Sequence, residues 1–323
     1  MWKSILRALV LLLALPHCQP EQGLEQRAPS IPESQTETSE SSEVKAPVRE
    51  RDGLKEQLAR LRDKQACNRL MGCDPAIAIK QFGRSGLPEV LSTLRAIPID
   101  GRYWQLKLIE ILGQLGDTRG VEFLKEQLTQ KRWEVRCRSA LALAQIRDPR
   151  SIDALRQLYA TQGDIATEAA ALFALANLKE RIDGVAAREV LIKRLPRDQE
   201  ALGALNPGHY AFLAELVGIA QLRASLQLAR WGAMHKDRFT RMAALESLAL
   251  LKDREGIPYA ITRLEDTSPG VRRQALRTLR VISAKRAFTR PEHWQDWCEQ
   301  RDCLAPLRKL RDSPRSEGTI ESR

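Results

Sequence analysis

The chain has 323 residues, of which 43% are hydrophobic and 5% aromatic, and it carries a formal charge of +11. Its Ala- and Leu-rich composition favours helices and excludes a mainly β protein, because strands prefer β-branched and aromatic residues. The charge is uneven: residues 19–50 hold seven Glu against three basic residues, so residues 51–323 carry +13. A basic body indicates an anionic partner or surface, or else a solvated helical surface rich in Lys and Arg.

The first 18 residues, MWKSILRALVLLLALPHC, combine Lys3 and Arg7 with an apolar run from Ala8 to Leu15. This run is too short to span a hydrocarbon core of roughly 30 Å and is typical of a secretory signal peptide. Residues 19–50 are rich in Ser, Glu, Pro and Gln, a composition that cannot bury enough apolar surface to fold. We therefore predict a signal peptide at 1–18 and a disordered polar tether at 19–50.

A signal peptide, a cysteine at its end and a polar tether resemble the precursor of a bacterial lipoprotein, whose cysteine is acylated. The resemblance covers residues 1–50 and implies lipidation of Cys18, with His17 where the family has a small residue. It also implies a location at the bacterial cell envelope, with the protein lipid-anchored and facing the periplasm or the surface. A soluble exported protein, an uncleaved anchor and a cytoplasmic protein stay open as alternatives.

The folded region begins with DGLKEQLARLRDKQACNRLMGCDP, in which Leu54, Leu58, Leu61 and Leu70 follow an amphipathic pattern. The pattern predicts a capping helix that ends at Gly72, since glycine commonly takes the left-handed conformation after a helix. A cap is expected here because the first unit of a repeat array lacks a neighbour.

A helix, a break and a second helix recur along residues 75–312. The aliphatic residues that end the first helices are Leu115, Ile146, Leu178, Leu222, Leu251 and Ile282. Their spacing is regular, at about 30 residues, except for a longer interval between Leu178 and Leu222, and such regularity is the signature of a helical solenoid. The longer interval contains an insertion, residues 196–210, which we expect to form a long loop or a short extra helix.

The repeat resembles the short HEAT repeat that is also found in phycobilisome lyases. The resemblance is carried by VRCRSALALAQIRDPRSIDAL at Val135–Leu155, TRMAALESLALLKDREGI at Thr240–Ile257 and VRRQALRTLRVI at Val271–Ile282. It implies an all-α, right-handed α-solenoid of antiparallel helix pairs over residues 51–312, with capping helices at both ends. Residues 313–323 are expected to be a disordered tail. Such repeats serve scaffolds, adaptors and a few enzymes, so the resemblance concerns architecture rather than function.

Three arginines, Arg136, Arg241 and Arg272, recur near the starts of equivalent helices. We predict that they form a structural ladder, pairing between units with the aspartates that follow the first helices. Those aspartates are Asp117, Asp148 and Asp253. A basic row that binds a ligand is the alternative.

Two close cysteine pairs lie near the ends of the repeat region, Cys67 with Cys73 and Cys298 with Cys303. In an exported protein such pairs predict disulfides, with free thiols and a metal site as alternatives. Residues five or six apart on a continuous helix are too distant for a disulfide, so each pair requires a turn between its cysteines. Cys137 lies inside a repeat helix and is expected to be a small buried side chain.

The last segment of the repeat region carries Trp294 and Trp297. It resembles the closing helix of bacterial HEAT-repeat proteins, which implies that both tryptophans pack against the last unit. A sugar-stacking platform is the alternative.

Motifs for common catalytic chemistry are missing from the sequence: there is no G-x-S-x-G, phosphate-binding glycine loop or H-E-x-x-H. His17, His209, His235 and His293 are scattered and have no adjacent Glu of the kind HEAT-type hydroxylases use. We therefore predict a non-enzymatic interaction scaffold or adaptor, with no metal or cofactor, tethered to the envelope and binding a protein or an anionic surface polymer. The alternatives are a nucleic-acid-binding HEAT-like solenoid, which export disfavours, and a HEAT-type enzyme or lyase-like protein.

Overall fold

The fold is given by a computed structural model that describes residues 48–301, apart from 64, 69–71, 162, 285–287 and 289. The predicted signal peptide, nearly all of the predicted tether and the predicted tail lie outside the described residues. So do Cys18, Leu70 and Cys303, and with them the lipidation of Cys18. Within the described part of the chain, no helix is both long enough and apolar enough to cross a membrane.

Helices dominate the described residues. In chain order they are α1 (Val48–Arg60), α2 (Asp74–Gln81), α3 (Leu87–Arg95), α4 (Tyr103–Leu115), α5 (Val121–Gln127), α6 (Trp133–Ile146), α7 (Ile152–Ala160), α8 (Ile165–Asn177), α9 (Ala187–Arg194), α10 (Gln199–Gly203), α11 (Pro207–Ile219), α12 (Leu226–Gly232), α13 (Arg238–Leu250), α14 (Ile257–Ile261), α15 (Pro269–Ser283) and α16 (Pro291–Glu299). The described strands form two hairpins of two-residue antiparallel strands: β1 (Cys67–Asn68) with β2 (Gly72–Cys73), and β3 (Arg181–Ile182) with β4 (Val185–Ala186). Short 3-10 turns precede five of the second helices. The all-α solenoid predicted from the sequence is confirmed.

The units of the solenoid are marked by a left-handed residue just after each first helix. These residues are Gly83, Gly116, Arg147, Lys179, Gln221, Lys252 and Ala284. They recur at about 30 residues, except for the longer interval from Lys179 to Gln221. A left-handed residue closes a helix by bonding its orphan carbonyls. It therefore gives the repeat register directly.

This register corrects the spacing inferred from aliphatic positions around the insertion. Leu178 precedes the left-handed Lys179, whereas Leu222 follows the left-handed Gln221. The equivalent of Leu178 is therefore Ala220, a smaller residue that the aliphatic pattern missed. The interval that holds the insertion, from Lys179 to Gln221, is thus shorter than the aliphatic positions indicated. The next interval, from Gln221 to Lys252, is longer than they indicated and matches the others.

The first helices (α2, α4, α6, α8, α11, α13 and α15) form one layer, in which each packs against the next. Most second helices pack mainly against the first helix of the next unit: α3 on α4, α5 on α6, α7 on α8, α12 on α13 and α14 on α15, whereas α9 packs on α8 of its own unit. Close approach within the first-helix layer depends on small residues. A Cβ added at Gly113 would lie 2.5 Å from the Cα of Ala142, and one added at Gly218 would lie 2.7 Å from the Cα of Ser247.

The N-terminal cap differs from the predicted continuous helix through Leu70 to Gly72. Helix α1 ends at Arg60, and Cys67 and Cys73 face each other as strand partners of a small hairpin. Before the hairpin, a carboxylate oxygen of Asp63 accepts a hydrogen bond from the backbone N–H of Gln65, which stabilises a local turn in competition with helix. Gly72 is therefore a strand residue, and the turn that the cysteine pair requires is made by the hairpin.

The insertion contains the short helix α10, in agreement with the expected extra helix. The Asp198 carboxylate accepts a hydrogen bond from the Ala201 N–H and caps this helix. Leu202 is buried and anchors it to the core. At the other end of the solenoid, α16 packs against α14.

Candidate functional site on the inner face

Six charged side chains lie together on the free face of the first-helix layer, and we call them the inner charged cluster. Its members are Lys107 and Glu110 of α4, Arg138 of α6, Glu215 of α11, Glu246 of α13 and Arg277 of α15. The cluster therefore draws on five helices.

The centre of the cluster is the ion pair between Arg138 and Glu215. The guanidinium donates two hydrogen bonds, Nη1 to Oε1 at 2.5 Å and Nη2 to Oε2 at 2.6 Å. This bidentate geometry is the strongest arrangement available to an arginine and a carboxylate. The pair passes over α8, where the residue in register with Arg138 is the fully buried Ala170. A small side chain at that position leaves room for the arginine.

The first-helix layer is strongly curved. Arg138 on α6 and Glu215 on α11 bond directly, at 2.5 Å, although α8 lies between their helices. In a flat layer, with roughly 8–10 Å between neighbouring axes, α6 and α11 would stand roughly 16–20 Å apart. The free face of the first helices is therefore concave, and we call it the inner face.

Burial and neighbouring charges shift the pKa of cluster members. Burial alone would lower the pKa of Arg138, but the charges and hydrogen bonds of Glu215 and the charge of Glu110 raise it overall. The pKa of Lys107 is also raised: burial alone would lower it, but Glu110 and Tyr103 together outweigh that effect. The pKa of Glu246 is raised by desolvation first and then by Glu215 and Glu110.

A narrow cleft of about 50 Å³ lies between Arg138, Glu215, Phe173 and Ile219. It has room for a few water molecules at most. A ligand on the inner face therefore has to lie across the cluster, in contact with several helices.

An aliphatic row accompanies the cluster. Ile219, Leu250 and Val281 stand one repeat period apart at equivalent positions of α11, α13 and α15, and they are 38%, 48% and 46% exposed. Ile219 lines the same cleft as Arg138, so the row runs along the inner face. Exposed apolar side chains at three successive repeats form a patch of the kind that marks interaction surfaces.

The predicted arginine ladder exists in part, and its predicted partners are wrong. The Arg136 guanidinium pairs with Asp164 at 2.7 Å, and that of Arg241 pairs with Asp266 at 2.8 Å. Each therefore bonds an aspartate at the start of the next first helix. Arg272 donates to the backbone carbonyl of Asp266 at 2.7 Å.

The three aspartates assigned to the ladder bind other arginines. The carboxylates of Asp117 and Asp148 accept from Arg119 and Arg150, two residues further along the chain. Each of those arginines also reaches a carbonyl of the preceding unit, that of Arg84 or Thr118. Asp253 accepts from Arg230. All three aspartates follow a helix break. At that place Asp117 and Asp148 are local caps, since each accepts a hydrogen bond from a backbone N–H of the next turn, whereas Asp253 makes no capping bond.

In α8, Glu168 replaces the ladder arginine and the polarity of the pair is reversed. Its carboxylate lies 3.0 Å from Nε of Arg194 on α9. Arg136, Glu168 and Arg241 thus each make an ion pair within the solenoid, with the direction reversed at Glu168, which indicates a structural role.

Cys67 and Cys73 form a disulfide in the N-terminal cap. Cys298 is also disulfide-bonded, while its predicted partner Cys303 lies outside the described residues. Cys137 is a free, fully buried thiol whose pKa is raised by burial. A thiol in this state is a weak nucleophile.

The tryptophans of the C-terminal cap pack within it. The Trp294 ring is fully buried. It stands edge-on to Phe288, at 5.0 Å between centroids, and to Trp297, at 6.1 Å. The buried ring cannot serve as a stacking platform.

The histidines beyond His17 lie in separate places. His209 stands edge-on to Trp133 and 3.7 Å from a carboxylate oxygen of Asp164, His235 is beside Tyr210, and His293 is beside Phe288. Among the described residues, no group of three or more His, Cys, Asp or Glu side chains is arranged to hold a metal ion.

The inner charged cluster and the aliphatic row were not among the residues predicted from the sequence. A signal for them exists: Glu215, Glu246 and Arg277 stand one repeat period apart, as do the members of the aliphatic row. Recurrence of exposed positions at the repeat period marks the free face of a solenoid layer, whereas recurrence of apolar positions marks only its core.

Residues 100–176 match the family model of HEAT repeats. No curated protein matches the chain. Among solved structures, human deoxyhypusine hydroxylase in complex with glycerol is 14% identical, with 72% of this chain and 97% of that chain covered and a TM-score of 0.39. The complex of CpcE and CpcF of phycocyanin lyase from Nostoc sp. PCC7120 is 15% identical, with coverages of 83% and 99% and a TM-score of 0.41. An engineered protein is 18% identical, with coverages of 83% and 76% and a TM-score of 0.29.

The family match contains one complete interval between left-handed residues, from Gly116 to Arg147, and most of the next one. The same helix pattern continues on both sides of it. The chain is therefore an α-solenoid protein in which residues 100–176 match HEAT repeats.

Proposed function

We propose that the protein is a non-enzymatic scaffold that holds a protein partner on its inner face. The observation that carries this proposal is the aliphatic row of Ile219, Leu250 and Val281 beside the inner charged cluster. Protein interfaces combine apolar contacts with charged groups that fix orientation.

The charges of the cluster favour a protein over a nucleic acid. Three carboxylates stand against three cations, so the cluster is formally neutral. A nucleic-acid surface requires an excess of cations to neutralise phosphates. Fixed charges of both signs are suited to a partner that carries charges of both signs itself.

The proposal includes export and attachment to the bacterial envelope through Cys18. It is supported by the sequence of residues 1–50, with its short apolar run, cysteine and polar segment. The polar segment would give the scaffold a reach of roughly 30 Å from the membrane by random-coil scaling.

The inner-face proposal is tested by affinity capture from membranes with the wild-type chain and two variants. Leu250→Ser with Val281→Ser removes two members of the aliphatic row. Met234→Ser is the control, because Met234 is 43% exposed but follows the second helix α12. We expect the captured partner to bind the row variant at least about tenfold more weakly and the control variant as tightly as wild type. Equal binding to all three chains would rule out the inner face as the interface.

The tether is tested separately. Replacing Cys18 by Ser should release the protein from the membrane fraction without changing its circular dichroism spectrum. If the variant stays in that fraction, washing at high salt distinguishes an uncleaved apolar segment from electrostatic adhesion, which salt screens. Neither result bears on the inner face.

A further inference from the structure

A second feature lies away from the inner charged cluster, where the N-termini of α13 and α15 meet. A groove of about 530 Å³ opens between the segment that leads into α13 and the first turn of α15. Four of its side chains are basic: Lys236, Arg238, Arg241 and Arg273. One carboxylate, that of Asp237, also lines it.

The charged groups of the groove divide into engaged and exposed ones. The Asp237 carboxylate caps α13 by accepting hydrogen bonds from the N–H and the hydroxyl of Thr240. Arg241 is held by Asp266. Lys236 and Arg238 are exposed. Their charges are therefore available to a ligand.

The N-terminus of α15 is open toward this groove. Asp164, Asn206 and Asp237 cap their first helices, each accepting a hydrogen bond from a backbone N–H of the first turn. Ser268 occupies the equivalent place in α15 and makes no such bond. Its side-chain oxygen has no hydrogen-bond partner among the described residues, although the residue is only 8% exposed.

The backbone of the first turn adds further donors. Pro269 has no N–H, and the first intrahelical bond of α15 is made by the N–H of Arg272 to the carbonyl of Ser268. The N–H groups of Gly270 and Val271 therefore lie before the hydrogen-bonded part of the helix. The first turn contains no acidic residue, so the positive end of the helix dipole is not neutralised by its own sequence.

We propose that this groove binds a phosphate group. Its oxygens would accept from the Ser268 hydroxyl and from the N–H groups of Gly270 and Val271, with Lys236 and Arg238 contributing charge. A tetrahedral group with several acceptor oxygens suits such a donor set, and helix N-termini are established phosphate sites. The site is independent of the proposed inner-face function, since none of its residues belongs to the inner charged cluster.

Two probes distinguish a soluble phosphate ligand from a lipid headgroup. Both are applied to the full chain carrying Cys18→Ser, so that no acyl group interferes. Inorganic phosphate is titrated while the backbone amide resonances of Gly270 and Val271 are followed by NMR. Vesicles of phosphatidylcholine with and without phosphatidylglycerol are tested by co-sedimentation. Binding of phosphate alone indicates a soluble ligand, and additional binding to the anionic vesicles indicates a lipid headgroup.

Two groove variants and a matched control complete the test. Ser268→Ala should weaken phosphate binding about tenfold, since a hydrogen bond to a charged group is lost. Lys236→Gln with Arg238→Gln should weaken it about fivefold through the loss of exposed charge. Lys80→Gln with Lys193→Gln also removes two exposed positive charges, on α2 and α9, and should change binding by less than about twofold. All variants are first compared by circular dichroism, so that unfolding is detected.

The proposal is overturned if inorganic phosphate leaves the Gly270 and Val271 resonances unchanged and anionic vesicles sediment no more protein than neutral ones. It is also overturned if the groove variants and the control bind equally, because general basicity would then explain the binding.

Discussion

Arg138 of α6 donates two hydrogen bonds, of 2.5 and 2.6 Å, to the Glu215 carboxylate of α11 across the intervening helix α8. The pair therefore joins units that are not neighbours in the solenoid. Each repeat of a solenoid contacts mainly its own neighbours, so its curvature is the sum of small steps. An ion pair between units that are two apart constrains the angles at both of the intervening unit–unit contacts.

We predict that Arg138→Gln lowers the free energy of unfolding by about 2 kcal/mol, because it leaves a partly buried carboxylate unpaired. Adding Glu215→Gln should recover part of that loss. Urea denaturation of the wild type, the two single variants and the double variant gives the coupling energy. Arg156→Gln is the control: Arg156 also pairs with a glutamate, Glu180, at 2.5 Å, but the arginine is 51% exposed. Its cost should be below about 0.5 kcal/mol.

Equal costs for Arg138→Gln and Arg156→Gln would contradict this account. The bond across α8 would then be no more than a surface ion pair.

Gly218 is the second test, because it sets the distance between α11 and α13. Gly218→Ala should cost about 2–3 kcal/mol, since the new Cβ would lie 2.7 Å from the Cα of Ser247 and force the helices apart. Gly203→Ala on α10 meets no atom within 4 Å. It should raise stability by up to about 1 kcal/mol, as alanine is the better helix former. Thermal unfolding followed by circular dichroism measures both, and a neutral Gly218→Ala would show that the first-helix layer can relax.

The helices and their repeat could be predicted from the sequence because they depend on local rules. Aliphatic spacing, alanines and the Asp–Pro break at Asp148 each act within a few residues. The extra helix α10 followed from the excess length of one interval. The length predicted for the interval that ends at Leu222 was inaccurate, because Leu222 lies one residue after the left-handed Gln221 and not one residue before it.

The pairing of side chains within the site could not be predicted in the same way, because its contacts join distant parts of the chain. Arg138 and Glu215 are 77 residues apart, and their meeting depends on the curvature of the layer and on the small Ala170 between them. The predicted aspartate partners of the arginine ladder were wrong for a related reason. Arg136 and Arg241 were placed correctly at equivalent positions, but the aspartate each one reaches depends on which end of the next unit lies beside it.

The ladder pairs supply a third prediction, in which burial decides the magnitude. The side chains of Arg241 and Asp266 are 9% and 2% exposed, whereas those of Arg136 and Asp164 are 18% and 19% exposed. Arg241→Gln should therefore cost about 3 kcal/mol, as it leaves the buried Asp266 carboxylate with only the longer ion pair to Arg263, at 3.5 Å. Arg136→Gln should cost about 1 kcal/mol. Urea denaturation at pH 7 measures both values, and the reverse order would refute the dependence on burial.

The pH dependence of the Arg241→Gln effect follows from the same pair. Burial would raise the pKa of Asp266, but the hydrogen bond from Arg241, together with the Ser268 N–H, lowers it overall. A depressed carboxyl pKa adds stability above the unfolded-state pKa, and that stability is lost as the pH falls through the folded-state pKa. The difference between wild type and Arg241→Gln should thus shrink as the pH is lowered from 7 toward 2. A constant difference would show that packing, and not charge, explains the cost.

Glu246 supplies the last prediction, with the opposite sign. Its pKa is raised by desolvation first and then by Glu215 and Glu110, against the opposing effects of Lys107 and Arg277. In the folded protein Glu246 therefore keeps its proton to a higher pH than in the unfolded chain. The folded state binds more protons in that window, so this group lowers stability as the pH rises through it. Glu246→Gln removes the group, and the variant should gain stability relative to wild type on going from pH 4 to pH 7.

Substitutions of charged neighbours of Glu246 show whether their charges, and not burial alone, contribute to its raised pKa. Glu215→Gln removes a like charge and should lower the pKa of Glu246. Arg277→Gln removes an opposite charge and should raise it. Both shifts can be followed by NMR titration of the side-chain carboxyl carbon. If the two substitutions leave that pKa unchanged, the charges of α11, α13 and α15 do not sense one another and the inner charged cluster is not a unit. Opposite shifts would show that a charged partner docking beside Glu246 changes its protonation, so that binding to the inner face would itself depend on pH.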